Sequence, residues 1–257
     1  LLPHELGADF DLARVLRFGC LPVIWQSSAK AESLDAYVQL YLKEEIQAEA
    51  ATRNLPGFAR FLPIAALFHG QALNVSALAR DAGVARTTVQ GYLQILEDTL
   101  FTFSLPAYEA RLRVRERRHP KLYWVDPGLV RAVTGDRGPP DADSTGRLFE
   151  GWIAQLLRAY RDYRGICDDL TYWAPTESRD TEVDFLLRRG REQVAIEVKA
   201  SRRWKPDFAK GLRAIAELPG VKRRLVVYLG AERLRPEKGI EVLPLPVFLA
   251  ELERGFG

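Results

Sequence analysis

Three ionisable side chains on two neighbouring extended segments carry the chemistry this sequence could perform: Asp184, Glu197 and Lys199. Glu182-Val183-Asp184-Phe185-Leu186-Leu187 and Val194-Ala195-Ile196-Glu197-Val198-Lys199 read as strands. Arg188-Arg189-Gly190-Arg191 between them reads as a turn, so the two form a hairpin. A turn centred near Gly190 and Arg191 sets Asp184 opposite Glu197, and directly opposed residues lie only about 5 Å apart at Cβ. Two like charges at that separation destabilise a hairpin unless a cation sits between them. Glu197 and Lys199 are two apart and share one face, while Ile196 and Val198 fill the other. A strand interior is a costly place for three charges, and the cheapest compensation is mutual. Asp184 and Glu197 then act as metal ligands that share a Mg²⁺ or Mn²⁺. Mg²⁺ takes few protein carboxylates and keeps several waters, which leaves an activated water as nucleophile. Lys199 would orient that water or stabilise the charge building on a phosphate.

Several elements must hold that hairpin. Leu170-Thr171-Tyr172-Trp173 reads as a strand before it, and a helix over about Asp207 to Leu218 and a strand Arg224 to Leu229 follow it. Upstream, a helix capped by Ser144 or Thr145 runs through Tyr160, with Phe149, Trp152, Ile153, Leu156, Leu157 and Tyr160 as its apolar stripe. Glu150 falls on the flank of that stripe, within roughly 20° of Leu157 at about 100° per residue. The segment Thr134 to Ser144 is crowded with turn formers and acids and reads as a linker.

The half before the linker is helical. An amphipathic helix begins at Leu34 and continues to Ile46, with Lys43, Glu44 and Glu45 at its solvent edge; another covers Phe58 to Phe68, with Pro63 near its first turn or kinking it. Leu78 and Ala79, then Ala82-Gly83-Val84, then Val89 and Tyr92 have the spacing of a helix-turn-helix. Ala79 is small where two helices cross, and Gly83 can take the left-handed turn conformation. The second helix would expose Arg86, Thr87, Thr88, Gln90 and Gln94. Phe101 to Leu105 and Lys121 to Val125 read as strands, and between them lies a basic ribbon with Arg111, Arg113, Arg115, Arg117 and Arg118. Strand, basic loop and strand after a helix-turn-helix make a winged helix, whose arginines are candidate nucleic-acid contacts. A solvated edge strand charged against aggregation is the alternative reading of the ribbon.

Asp184, the hairpin and Glu197-Val198-Lys199, preceded by Glu150 on a helix, resemble the PD-(D/E)xK motif of the restriction-endonuclease-like superfamily. The resemblance implies that Asp184 and Glu197 ligate metal, that Lys199 is the catalytic lysine, and that Glu150 is an auxiliary acid. Arg202, Arg203, Trp204 and Lys205, just past the third strand, could hold a phosphate backbone, or form an ordinary salt-laced loop. More broadly, Tyr41-Leu42-Lys43-Glu44-Glu45-Ile46, the Asn74 to Leu96 block, Lys121 to Leu129 and the two hairpin strands are similar to the C-terminal region of a family of prokaryotic AAA-type ATPases. That family places a P-loop module first, and Leu1 to Pro22 resembles its tail. Ala174 stands where the family leads one to expect arginine. The implied organisation is an ATPase tail over 1–33, a winged-helix domain over 34–135, a linker over 136–144 and a nuclease-like domain over 145–257. The fold class is thus α+β or α/β, with a central mixed sheet flanked by helices in the second part.

Composition limits the function classes. The chain of 257 residues suffices for two domains. Its formal net charge is only +3, so no global polycation drives binding, although 29 of its 37 basic residues are arginine. Cys20 and Cys167 are far apart without zinc-ligand spacing, which fits a reducing cytoplasmic setting. No apolar run is long enough to span a bilayer, and no GxxxxGK[ST] is present to cradle a nucleotide. With no methionine anywhere, the sequence is expected to be a piece whose ATPase part is missing. The leading reading is Mg²⁺- or Mn²⁺-dependent DNA hydrolysis coupled to that ATPase, with DNA and the ATPase module as partners and a homo-oligomer conceivable. The rivals are a catalytically silent module that binds DNA or protein, and a winged-helix transcription regulator.

Overall fold

The computed structural model describes residues 1–41, 55–109, 116–176 and 181–256. The chain opens with four short helices, α1 (Pro3–Leu6), α2 (Leu12–Phe18), α3 (Pro22–Gln26) and α4 (Lys30–Ala36). Asp11 caps α2 by accepting from Ala13 N at 2.9 Å, and Gly19 (φ +77) ends it. The amphipathic helix expected from Leu34 begins earlier and widens into a π-type turn over Tyr37–Tyr41. Its expected continuation through Lys43, Glu44, Glu45 and Ile46 lies outside the described residues.

Helix α5 (Leu55–Leu67) keeps Pro63 in its second half rather than near its first turn. Buried Phe58 and Phe61 hold it in place by closing on the Tyr92 ring at 4.9 and 5.3 Å. Next come β1 (Gln71–Ala72), α6 (Val75–Ala82) and α7 (Arg86–Asp98). Asn74 caps α6, and Gly83 ends it in the left-handed region at φ +64, the conformation the sequence called for. Leu78, Ala79, Ala82, Val89 and Tyr92 are buried as their spacing requires. Strands β2 (Thr102–Leu105) and β3 (Lys121–Trp124) complete a small sheet of order β1-β3-β2.

Helix α8 (Pro127–Thr134) follows, then α9 (Ala142–Arg164). The first turn of α9 is held by Asp141, whose carboxylate accepts from Ser144 N at 2.7 Å and whose carbonyl accepts from the Thr145 hydroxyl. The helix therefore starts before the expected Ser144 or Thr145 cap. Beyond it lies a mixed sheet of order β4-β5-β6-β7-β9-β8, built from β4 (Asp169–Trp173), β5 (Val183–Arg189), β6 (Glu192–Lys199), β7 (Val221–Tyr228), β8 (Leu234–Glu237) and β9 (Ile240–Pro244). Pairing is antiparallel from β4 through β6, parallel from β6 to β7 and β7 to β9, and antiparallel again at β8. The helix expected over about Asp207 to Leu218 is a 3₁₀ turn over Pro206–Ala209 that runs into the short α10 (Lys210–Ala214). The C-terminal α11 (Leu245–Glu253) packs on β7 and β9.

The chain forms two compact units: residues 1–104 with 121–152, and residues 105–120 with 153–257. This division differs from the expected one in three respects. The boundary falls inside α9, between Trp152 and Ile153, rather than in the linker over 136–144. Residues 1–33 build the first unit, and residues 105–120, between the strands of the expected wing, belong to the second. There Pro106, Tyr108 and Arg117 bond along the edge strand β4: Tyr108 N donates to Tyr172 O at 2.7 Å, Tyr172 N to Pro106 O at 3.0 Å, and Arg117 N to Ala174 O at 2.9 Å. Trp173 Nε1 donates to Glu116 at 2.8 Å. A buried, aromatic edge strand has backbone groups to satisfy, and this segment satisfies them.

Within the first unit Asp126 is the tie. Its carboxylate caps α8 through Gly128 N (2.8 Å) and Leu129 N (3.3 Å) and accepts from Cys20 N at 2.6 Å. A Cβ on Gly19 would stand 1.7 Å from it, and one on Gly128 would stand 2.3 Å from the Phe18 carbonyl oxygen, so both positions require glycine. Burial pushes the Asp126 carboxyl up to about 6 against the pull of those three N–H donors. A raised folded value contributes stability below the unfolded pKa, near 3.9, that is lost as pH rises through about 6. Asp126→Asn keeps an acceptor and removes the charge. Thermal melts at pH 4, 6 and 7.5 should show the variant gaining on the parent as pH rises, by on the order of 2–3 kcal/mol in all. A constant difference would mean that the carboxylate is ionised at no net penalty.

Candidate functional site

The three predicted side chains lie where the β5–β6 ladder ends. Phe185 pairs with Ile196 and Leu186 with Ala195, and against β4 the register of β5 shifts between Leu186 and Val183. Here a side chain replaces the backbone ladder: Val198 N donates to Asp184 Oδ2 at 2.8 Å. Asp184 is 1% exposed and Glu197 5%. Lys199 Nζ donates to Glu197 Oε1 at 2.6 Å, and its side chain remains 30% exposed, so the ammonium lies at the rim. Glu197 Oε2 is buried with no hydrogen-bond partner.

The surroundings fix this arrangement. Alternation puts Leu186 and Ala195 on the face that carries Asp184 and Glu197, and these two belong to a core with Ala209, Leu212, Val226, Tyr228 and Val242. Gly211 of α10 allows close approach there, because a Cβ on it would stand 1.6 Å from the Glu182 carbonyl oxygen. On the far side, β6 is locked to β7 through Glu197↔Val226 and Lys199↔Tyr228. Burial pushes the Glu197 carboxyl well above the usual carboxylate range; Asp184 raises it further, Lys199 opposes the rise, and Glu182 adds to it. Glu182, just before β5, is a charged neighbour of Glu197 that the sequence reading passed over.

The remaining candidates fall into three groups. Glu150 belongs to the first unit, where its Oε1 accepts from Lys121 Nζ at 3.0 Å and from Tyr123 OH at 2.5 Å. Lys121 is 3% exposed, and nothing in a strand reading of Lys121-Leu122-Tyr123-Trp124 marked it as a buried cation. Arg202, Arg203 and Lys205 are exposed in the loop after β6, braced where Ser201 Oγ donates to Arg203 O and Leu229 N donates to Ser201 O. On α7, Arg86, Thr87, Gln90 and Gln94 are exposed, while Thr88 is half-buried. Of the basic ribbon, Arg118 is exposed and pairs with Glu109 at 3.5 Å, and Arg117 is half-buried with its backbone on Ala174. Arg111, Arg113 and Arg115 lie outside the described residues.

A buried oxygen without a donor, beside a second carboxylate, suits a cation. Among the described residues no group of three or more His, Cys, Asp and Glu side chains forms a metal cluster. Two carboxylates nevertheless match the demand of Mg²⁺, which takes one or two and retains water. Asp184 and Glu197 are the residues that fit it.

The chain is thus a mixed α+β protein, and among the described residues no helix is long and apolar enough to cross a membrane. It belongs to the family described as Domain of unknown function (DUF8612), whose model matches residues 9–139. Residues 145–248 match a second model, Domain of unknown function (DUF4143). The two matches leave a gap inside the expected linker. The chain is 25% identical over 236 residues to "Uncharacterized protein Rv2008c" of Mycobacterium tuberculosis and equally to "Uncharacterized protein Mb2031c" of Mycobacterium bovis. The aligned stretch covers 88% of this chain and 51% of each relative, so the chain spans about half the length of the curated relatives it matches. Among solved structures, protein VC1899 from Vibrio cholerae is similar at 13% identity and a TM-score of 0.31, over 92% of this chain and 55% of that one.

The unsatisfied Glu197 oxygen carries a desolvation penalty that no hydrogen bond offsets. Since burial raises the Glu197 pKa, its contribution to stability is lost as pH rises through the folded value. Glu197→Gln should therefore melt higher than the parent in EDTA, by roughly 2–4 °C (about 1 kcal/mol), with a gap that widens from pH 6 to 8. The variant should also lose any stabilisation by Mn²⁺. A variant that melts lower at every pH would show a carboxylate retained for packing.

Proposed function

We propose that the chain is the nucleic-acid-processing part of an AAA-type ATPase, with a PD-(D/E)xK site that hydrolyses DNA phosphodiesters. The observation that carries this reading is the buried, partnerless Glu197 Oε2 beside Asp184, with Lys199 on the other oxygen. The antiparallel β4-β5-β6 run followed by parallel β7 supports it, because it puts both carboxylates and the lysine on one face of a rigid sheet.

Asp184 and Glu197 would hold the cation, which when bound would supply Lewis acidity and a water of lowered pKa. Lys199, rim-exposed and charged, binds a non-bridging phosphate oxygen and offsets the charge that develops there. Asp184 is oriented by the Val198 N–H, so its remaining oxygen has a fixed direction. Arg202, Arg203 and Lys205 sit on the loop that leaves the lysine's strand, placed to neutralise neighbouring phosphates. In the first unit, the α6–α7 pair with its small sheet is read as a winged helix that presents Arg86, Thr87 and Gln90 to a duplex. The greater length of the curated relatives leaves room for the ATPase module that the sequence resemblance implies.

A second reading has its own support. The closed Lys199–Glu197 pair balances the charge of that carboxylate without any divalent cation, as a silent DNA- or protein-binding module would need. The two readings diverge in one assay. With Mn²⁺ or Mg²⁺ the protein should nick plasmid, and Asp184→Ala or Lys199→Met should lower the rate at least about 100-fold, a loss typical of a missing charge-stabilising group, while DNA binding persists. Equal rates in parent and variants would leave only the binding reading.

DNA affinity should also fall steeply with salt. Replacing Arg202, Arg203 and Lys205 by alanine should make the slope of log K against log salt shallower by about 2–3 for duplex DNA. An unchanged slope would remove this loop from the interface.

A further inference from the structure

The loop that leaves β6 carries an indole among its charges. From Ser201 it runs Ser201-Arg202-Arg203-Trp204-Lys205-Pro206-Asp207. Arg202, Arg203 and Lys205 are exposed, and among the described residues they form no ion pair. Asp207, the one acid in that stretch, is held by Lys210 Nζ at 3.4 Å. Trp204 is half-buried. It packs with Phe208 against the core of Leu186, Ala195, Val226 and Tyr228, and the two rings meet edge to face at 5.9 Å and 86°. Val226 and Tyr228 are the ladder partners of Glu197 and Lys199. The indole therefore lies over the sheet face that carries that carboxylate and that lysine.

Backbone bonds hold the loop in one shape. Ser201 N donates to Lys199 O at 2.7 Å, Leu229 N to Ser201 O at 2.9 Å, and Phe208 N to Lys205 O at 3.0 Å. Arg203 N donates to Ser201 Oγ at 3.2 Å. Gly230 packs closely against it, since a Cβ there would stand 2.7 Å from the Arg202 carbonyl oxygen. A platform fixed in this way loses little freedom when a ligand docks on it.

Phosphate contacts need only the cations and leave the indole without a task. The other tryptophans are accounted for: Trp124, Trp152 and Trp173 are buried, and the Arg14 guanidinium lies 3.9 Å over the Trp25 ring. Among the described residues no cation lies over Trp204. An aromatic ring set between unpaired cations is the chemistry that holds a single strand. The cations follow the phosphates, and the ring stacks on a base whose face a duplex would keep hidden.

We propose that Trp204 is a base-stacking residue and that the loop over residues 201–205 binds single-stranded DNA, so that the substrate at this site is an unpaired strand or a frayed end. The proposal rests on the nucleic-acid reading of the loop, and not on whether phosphodiesters are cut.

The test is fluorescence anisotropy in EDTA with a labelled oligothymidylate, an abasic strand of equal length and a blunt duplex. The proteins are the full chain, Trp204→Leu, which keeps an apolar group on the core, and Trp204→Phe, which keeps a ring; thermal melts monitor folding. Trp204→Leu should bind the oligothymidylate about fivefold or more weakly, and the abasic strand and duplex within about twofold of the parent. Its salt slope should match the parent's, because no charge is lost. Trp204→Phe should recover most of the affinity. Indole emission should fall when the oligothymidylate binds the parent, and the quench should vanish in Trp204→Phe, a change that a merely structural tryptophan would not produce. Equal losses on oligothymidylate and abasic strand would make Trp204 a support for the loop and overturn the proposal. Unchanged affinity in Trp204→Leu, or a quench that survives in Trp204→Phe, would overturn it as well. Failure of the parent to bind any of the three would sink this proposal and the nucleic-acid reading together. Binding and quenching with no plasmid nicking would remove only the hydrolytic reading.

Discussion

Two buried carboxylates at the end of the β5–β6 ladder set the terms for the second unit. Neighbouring like charges repel, and burial removes the water that would screen them. The structure answers with three local devices. Val198 gives its N–H to Asp184 instead of to the neighbouring strand, Lys199 folds back on Glu197, and Gly211 lets α10 press on the backbone beside them. None of the three completes Glu197, whose second oxygen stays dry and partnerless. Parallel pairing of β6 with β7 denies the strand any slip that could carry these charges to solvent, since a one-residue shift would also bury Lys199 and expose Val198.

Much of this could be read from the sequence, and physics explains which parts. A period of two is robust, so the face shared by Asp184, Glu197 and Lys199 and the hairpin around Gly190 followed directly. So did the helix–turn–helix spacing, because Gly83 and the small Ala79 are demanded by local geometry. What stayed hidden depends on tertiary partners. Strands β8 and β9 are short, Pro236 lies within the first and Pro244 ends the second, so no alternation announces them. Residues 105–120 resembled a wing because they follow a strand and carry arginines, but the hydrogen-bond needs of β4 take them into the second unit. Lys121 looked like an ordinary strand edge until Glu150 and Tyr123 appeared beside it.

The first unit buries charge as well, and the comparison sharpens the meaning of the second. Asp126 sits in a fully enclosed position, yet its two oxygens receive three backbone N–H groups, and two glycines clear the space for it. Glu150 receives a buried ammonium and a phenol on a single oxygen. Such carboxylates are structural ties: removal of a partner would leave an uncompensated group, and nothing in their surroundings asks for a further ligand.

Glu197 breaks that pattern within the same chain. Among the described residues its Oε2 is the one carboxylate oxygen that is buried without a hydrogen-bond partner. A chain that supplies three donors to Asp126 has the means to supply one more to Glu197, by a hydroxyl on β7 or a polar residue in place of Ala195. It places Val226 and Ala195 there instead, apolar groups that keep water out and offer no bond. A dry wall around an incomplete carboxylate strengthens every electrostatic interaction at that point. This is a disadvantage for folding and an advantage for gripping a small, doubly charged cation. The unpartnered oxygen, more than the count of acidic residues, distinguishes this place from the well-satisfied carboxylates of the first unit.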